Sequence, residues 1–140
     1  MKKFKSERGQ SLVEFSISLV IILWLLAGAV EFGIALFQYI QLRDAAQEGA
    51  LYGSINPKDT TGIEARVRAA SSSPIDLADT GQVTVNVTTS GSGCVADGVT
   101  VTVSFNHQLF MPFATLFTGG NTIIPLSASV TDTILQSDCS

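Results

Sequence analysis

The sequence has few of the groups from which catalytic and metal sites are built. Only 14% of its 140 residues are charged, against roughly 25% in an average soluble domain. It holds one histidine and two cysteines, too few for the His/Cys clusters that bind zinc. A formal net charge of −4 argues against nucleic-acid binding, because nucleic-acid-binding proteins carry a basic surface. These shortages exclude an ordinary soluble enzyme and a highly charged disordered protein. They predict a membrane-tethered, non-catalytic protein without a cofactor.

The few charged residues are unevenly placed. None occurs from Phe15 to Val30, and after Glu31 none follows until Arg43. A membrane-spanning helix needs roughly 20 apolar residues, so the segment from Leu12 to Ile40 is long enough to cross a bilayer. Four of the eight Lys and Arg residues precede this segment, which predicts an N-terminus in the cytoplasm and a C-terminal part outside. We therefore expect a single-pass protein of the cytoplasmic membrane.

Proline, the usual helix breaker, is absent before Pro57. A continuous helix is therefore predicted from about Gln10 to about Tyr52. Beyond Ile40 the helix becomes amphipathic, with leucine, alanine and glycine on one face and charged or amide residues on the others. We expect the outer half of this helix to pack against a protein domain.

The rest of the chain predicts a small domain rich in β-strands. A turn-rich segment follows Gly53, and a short amphipathic helix around Ile63 and Val67 comes next. Residues 82–89 and 99–105 then alternate between valine or phenylalanine and polar residues, which is typical of half-buried antiparallel strands. A third strand is expected at about 121–135, bent or interrupted early at Pro125. The sequence thus predicts an α+β fold in which a long N-terminal helix packs on a small antiparallel sheet.

The N-terminal region allows two kinds of proteolytic processing. A basic start followed by an apolar core is typical of a secretory signal peptide, and Ala27-Gly28-Ala29 offers a signal-peptidase site. Against this, Glu14 lies at the start of the supposed core, and the residues after Ala29 are still strongly apolar. The other possible cut lies between Gly9 and Gln10, on the cytoplasmic side, and places a glutamate, Glu14, at mature position five.

The second arrangement resembles the prepilin-peptidase recognition site of type IV pilins. More closely, the segment from about residue 8 to 53 resembles the TadE-like family of small pilin-like proteins in tight-adherence pilus systems. The matching features are the opening RGQSLVEF, a second V-E-F-G motif at 30–33 and the segment QLRDAAQEGA at 41–50. A glycine before the cut has a physical reason, because a protease must bind extended backbone and glycine offers no Cβ obstacle.

The resemblance implies three regions and a set of partners. Residues 1–9 are then a prepilin-type leader, 10–53 a transmembrane and stalk helix, and 54–140 an extracytoplasmic, pilin-like β-rich head. The implied partners are a prepilin peptidase, other pilins, a pilus assembly platform and the bacterial membrane, with self- or hetero-assembly through the N-terminal helix and no nucleic acid. Such a protein serves pilus assembly and surface attachment. The alternative is an uncleaved single-pass anchor that presents a small binding domain.

Two glutamates interrupt the apolar helix, where a carboxylate needs a partner or a function. Resemblance to pilins implies that Glu14 pairs with the α-amino group of mature residue one, in the same or a neighbouring subunit; the alternative is an interfacial residue facing water. For Glu31 we expect either an interfacial side chain that reaches water or a contact with a pilin partner. Seventeen residues separate them, so they lie far apart on the helix and form no catalytic pair.

The head is small, and a disulfide would stabilise it. Cys94 lies in the predicted hairpin loop and Cys139 next to the end of the sequence. Both fall on the external side, where conditions permit oxidation, so we predict a bridge, with two free thiols as the alternative. We expect His107, the one histidine, to be a solvated loop residue. The apolar segment 109–117 either packs under the sheet or exposes a binding patch.

Overall fold

The computed structural model describes residues 8–111, 114–116 and 118–136. Most of the predicted leader, residues 1–9, and the predicted disulfide partner Cys139 lie outside the described residues. The elements follow in the order α1 (Arg8–Ile55), α2 (Thr60–Ala69), β1 (Val83–Thr89), β2 (Gly98–Gln108), a single 3-10 turn (Ala114–Leu116) and β3 (Ile123–Thr133). This is the α+β fold that the sequence predicts, with a long helix and a small sheet.

Helix α1 dominates the molecule. Its 48 residues extend for about 70 Å at 1.5 Å per residue, and it ends at Ile55, two residues before Pro57. Apart from the half-buried Trp24, the large apolar side chains from Leu12 to Ile40 are between 40% and 70% exposed. The rest of the chain therefore leaves this half of α1 largely uncovered, and α1 is long and apolar enough to cross a membrane.

Helix α2 is the short amphipathic helix predicted after the stalk. Asp59 caps its N-terminus, and the Asp59 carboxylate accepts a hydrogen bond of 2.9 Å from the Gly62 N–H. This contact satisfies one of the backbone donors that the first turn of a helix leaves unpaired. Ile63 and Val67 are the buried residues of α2, as their spacing predicts.

The sheet is antiparallel, with β2 between β1 and β3. Val101 on β2 is opposite Val87 on β1 and opposite Val130 on β3. The odd-numbered residues from Val99 to Val103 are buried and face the helices. The even-numbered residues between them are only partly buried and lie on the opposite face of the sheet. The period-two pattern of the sequence therefore becomes the two faces of the sheet.

Pro125 does not interrupt β3, so of the two predicted effects of this proline, a bend or an interruption, the interruption is wrong. Pro125 lies within the strand, opposite Asn106 of β2. β3 is an edge strand, and a proline on an edge strand gives up no ladder bond if its nitrogen faces away from the neighbouring strand. The strand continues through Pro125 because β3 lies at the edge of the sheet, a position that a proline alone does not reveal.

The core of the head lies between α1, α2 and the sheet. The face of α1 that enters it is made of small residues and one leucine, and a Cβ atom at Gly49 or at Gly53 would lie 3.0 Å or less from a core side chain. This face lets the backbone of α1 approach the sheet closely. The buried core residues are Leu42, Ala45, Ala46, Ala50, Ile63, Val67, Ile75, Leu77, Val83, Val99, Val101, Val103, Ala128 and Ile134.

Candidate functional site

The predicted cleavage site lies in the first turns of α1. Gly9, Gln10 and Glu14 are all exposed, and no neighbouring side chain would obstruct a Cβ atom at Gly9. Access for a protease to the bond between Gly9 and Gln10 is therefore unobstructed by the described chain.

Gln10 and Glu14 are four residues apart and share one face of α1. Val13 and Ile17 complete the exposed surface around them. After cleavage at Gly9, the new α-amino group would belong to Gln10, one helical turn from the Glu14 carboxylate. The resemblance to pilins implies that these two groups form a pair, and the helix places both of them on the same face.

A second polar site lies higher on α1, where Glu31 is only 8% exposed although it interrupts an apolar helix. Its Oε1 atom lies 2.8 Å from Nε2 of His107. The backbone N–H of Phe110 donates to both carboxylate oxygens, at 3.2 Å each. The carboxylate therefore has its hydrogen-bond partners within its own chain, as a buried charge or polar group requires.

His107 reaches Glu31 because it continues the buried face of β2. It is 1% exposed and lies opposite Ile124 of β3. The lower end of the head, which we define as the end nearer the N-terminus of α1, is thereby fastened to the helix at Glu31. The upper end is fastened at Ser54, whose carbonyl accepts a 2.8 Å hydrogen bond from the Leu135 N–H.

The prediction that His107 is a solvated loop residue is wrong, since the residue lies inside β2 and is buried. The expectation that Glu31 reaches water is also wrong, because His107 and Phe110 cover its carboxylate. A contact of Glu31 with a pilin partner stays a prediction. The main reason for expecting that contact was that the carboxylate lacked a partner in its own chain, and this reason no longer applies.

The sequence held a signal for this contact. The alternation that places Val99, Val101 and Val103 on one face extends through Phe105 to His107 without a break. If β2 is predicted to end at Phe105, His107 falls in a loop. If the strand is extended by two residues, His107 lies on its buried face. A buried histidine then needs a polar partner, and Glu31 is the acid within the apolar part of α1.

A polar cluster at the upper end joins α1 to α2. The Tyr52 hydroxyl donates a hydrogen bond of 2.9 Å to Asp59, and the Arg66 guanidinium lies over the Tyr52 ring, 5.3 Å from its centre. The hydrogen bond to Asp59, with smaller effects of desolvation and of the Asp59 charge, raises the pKa of Tyr52, and Arg66 opposes this shift. Because Asp59 also caps α2, the cluster links the end of α1 to the start of α2.

Metal binding has no obvious place in the described structure. Within residues 8–111, 114–116 and 118–136, no three His, Cys, Asp or Glu side chains are grouped so as to hold a metal ion. The Glu31–His107 pair is buried, and it links α1 to β2.

Comparison with known proteins bears on α1. A family model described as TadE-like protein matches residues 9–51. Comparison with curated proteins and with solved structures gives no match. The matched segment includes Gly9, Glu14 and Glu31 and covers nearly all of α1. This match confirms the resemblance that the sequence predicts: over residues 9–51, the chain is similar to TadE-like proteins.

Proposed function

We propose that the chain is a TadE-like minor pilin or pseudopilin of a tight-adherence pilus. A prepilin peptidase cleaves after Gly9, and the mature protein takes part in assembling a pilus that attaches the cell to surfaces. The observation that carries the proposal is the family match over residues 9–51, on a helix whose lower half is apolar and exposed.

The architecture supports an assembly role for α1. Its apolar surface is too large to remain in water, and below Glu31 the head covers little of it beyond the contact of Met111 with Gly28. Lipid before assembly and neighbouring helices after it are the surroundings that such a surface requires. The head then lies on the outer side of the membrane, held to α1 at both ends.

The proposal also includes partners and a location. The partners are the prepilin peptidase, other pilins and the assembly platform in the membrane, with self- or hetero-assembly through α1. The basic N-terminus places the start of the chain in the cytoplasm of a bacterium and the head outside. The protein thus begins as a single-pass protein of the cytoplasmic membrane and then reaches the pilus or cell surface.

Gly9→Leu tests the processing step. A bulky side chain before the cut obstructs the protease, so we expect an unprocessed precursor that is absent from pili. Gly33→Leu is the matched control, because Gly33 is also an exposed glycine of α1 with open space around it, and it should be cleaved normally. A native chain that stays as uncleaved as Gly9→Leu would favour the uncleaved anchor instead.

A disulfide between Cys94 and Cys139 completes the proposal. The chain after β3 runs beside the Cys94 loop, since the Ala96 N–H donates to the Ile134 carbonyl and the Ile134 N–H to the Asp97 carbonyl. Cys139 comes five positions after Ile134, which is enough chain to return to Cys94. Reduction of this disulfide should increase the intact mass of the protein by the mass of two hydrogen atoms.

A further inference from the structure

The head reaches down α1 to the level of the predicted membrane span. Met111 Sδ lies 3.5 Å from the position that a Cβ atom on Gly28 would occupy. Together with Trp24 and Leu25, these two residues line a small surface pocket. The loop that follows β2 therefore lies against α1 below Glu31, between residues 24 and 28.

The length of uncovered helix is too short to cross a bilayer alone. From Gly9 to Trp24 there are 16 residues, or about 24 Å at 1.5 Å per residue, whereas the hydrocarbon core is about 30 Å thick. A span that begins at Gly9 needs roughly 20 residues and so ends close to Gly28, where Met111 lies. A span that began earlier would draw Arg8 and the charges before it into hydrocarbon. The lower end of the head therefore meets the outer leaflet.

The side chains at this level are suited to lipid. Phe110 is 75% exposed, Ile123 52% and Ile124 39%, and the register places the two isoleucines opposite Gln108 and His107, at the end of β2. We define the basal patch as Phe110, Met111, Ile123 and Ile124. It adjoins the exposed apolar surface of α1 below it.

Charge is distributed along the head in the way that a membrane contact needs. From Gly98 to Thr131 the sequence has 34 consecutive residues without Asp, Glu, Lys or Arg. The charged side chains of the described residues after Glu31 instead belong to the upper half of α1, to α2 and the turn before it, to the segment between α2 and β1, and to Asp97 and Asp132 near the opposite end of the sheet. Glu31, the acid nearest the basal patch, is covered by His107 and the Phe110 N–H. No exposed charge of the basal patch must therefore be desolvated on entering lipid.

We propose that the basal patch is a second membrane contact, which inserts Phe110 and its neighbours into the outer leaflet beside the spanning helix. The partner is the acyl-chain and interfacial region of a bilayer, because the patch is apolar, uncharged and continuous with the lipid-facing surface of α1. This inference rests on the proposed insertion of α1 in a membrane. The contact orients the head relative to the bilayer before the subunit leaves the membrane.

Quenching of tryptophan by brominated lipid tests the contact, since the chain has a single tryptophan, Trp24. The full chain is reconstituted in phosphatidylcholine vesicles with or without acyl-brominated phosphatidylcholine. Three proteins are compared: the native chain, Trp24→Phe with Phe110→Trp, and Trp24→Phe with Leu135→Trp. Leu135 is the matched control, because it is 68% exposed but bonded to Ser54, about 35 Å above Glu31 along α1.

We expect tryptophan at 110 to lose fluorescence to an extent comparable with Trp24, and tryptophan at 135 to lose none. Bromine near the headgroup should quench position 110 more than bromine near the chain end. If Phe110→Trp fails to fold, Ile123→Trp in the same background serves as the reporter, with the same expected loss.

The outcomes separate the inference from the proposed function. Quenching of Trp24 without quenching at 110 and 123 would overturn the basal contact and leave the spanning helix intact. If the patch is also shielded from aqueous acrylamide in that case, its partner is protein, such as a second copy. No quenching of Trp24 would overturn both the membrane insertion of α1 and the basal contact.

Discussion

Glu31 on α1 and His107 on β2 are 76 residues apart in the sequence, and their side chains meet at 2.8 Å between Oε1 and Nε2. Both are buried, and the Phe110 N–H completes the carboxylate's partners. The pair joins the lowest part of the sheet to the apolar part of α1. The orientation of the head along α1 thus depends on this polar contact at the bottom, on close packing of small residues above it and on the Ser54–Leu135 hydrogen bond at the top.

Removal of the Glu31 carboxylate should release the lower end of the head. In Glu31→Ala, the buried His107 ring and the Phe110 N–H lose their partner, which costs about 3 kcal/mol. We expect hydrogen exchange of the Phe110 amide to accelerate, while amides of the upper core, such as Val101, change little. Glu31→Gln keeps an acceptor and should have a smaller effect.

Glu48→Ala is the control for the loss of a helix glutamate. Its carboxylate lies 4.0 Å from Arg66 and both side chains are more than half exposed, so the change should stay within about 0.5 kcal/mol. Unchanged exchange at Phe110 in Glu31→Ala would show that the pair does not hold the head on the helix.

Gly49 should be the least replaceable position on the packed face of α1. A Cβ atom there would lie 2.5 Å from Val67 Cγ2, and Val67 is a buried, β-branched residue with little freedom to move. Overpacking costs about 1–3 kcal/mol, against a gain in helix propensity of up to about 1 kcal/mol. Gly49→Ala should therefore lower the denaturant midpoint of the detergent-solubilised protein.

Gly33→Ala supplies the comparison, because Gly33 has no atom near its Cβ position. The helix-propensity gain then acts alone, and stability should hold or rise slightly. Val67→Ala combined with Gly49→Ala should recover part of the loss. Similar midpoints for Gly49→Ala and Gly33→Ala would contradict the close approach of α1 to α2.

Glu14→Gln should separate processing from assembly. The substitution keeps the size of the side chain but removes the charge that we propose to pair with the α-amino group of Gln10 after cleavage. We expect a mature chain of normal mass that is largely absent from sheared pili. Glu48→Gln, an exposed acid on the upper half of α1, should be incorporated at the native level, and equal incorporation of both variants would remove the assigned role of Glu14.

Tyr52 should ionise above the usual value of 10 for tyrosine, because its hydroxyl donates to Asp59. The contribution of this hydrogen bond to stability is fully present below pH 10 and is lost as the pH rises through the raised folded-state pKa. Tyr39→Phe leaves Tyr52 as the one tyrosine, so its titration is followed by tyrosinate absorbance. Asp59→Asn should lower the midpoint; an unshifted midpoint would refute the influence of Asp59.

Much of the fold follows from local patterns in the sequence. The absence of proline and the apolar run predict α1, the spacing of Ile63 and Val67 predicts α2, and alternation of valine with threonine predicts β1 and β2. These features are visible because each depends on neighbours a few residues apart. The solvated face of α1 around Arg43 and Glu48 is predicted equally well, and both side chains are exposed.

The lower fastening was harder to predict, because it depends on contacts between distant parts of the chain. Whether His107 meets Glu31 depends on the length of β2, on its register with β3 and on how far the sheet extends along α1. If the end of β2 is predicted two residues too early, His107 is assigned to a loop and not to the buried face of the strand. The cleavage motif around Gly9, by contrast, is local, and the sequence alone exposes it.

The N-terminus of the native protein tests the central proposal most directly. Intact mass and N-terminal sequencing of the protein from its own cells should show a chain that starts at Gln10, as cleavage after Gly9 requires. A chain that starts at Met1 would contradict pilin-type processing and favour the uncleaved anchor. A start at Val30 would mean cleavage as a secretory signal peptide and would remove the membrane helix from the mature protein.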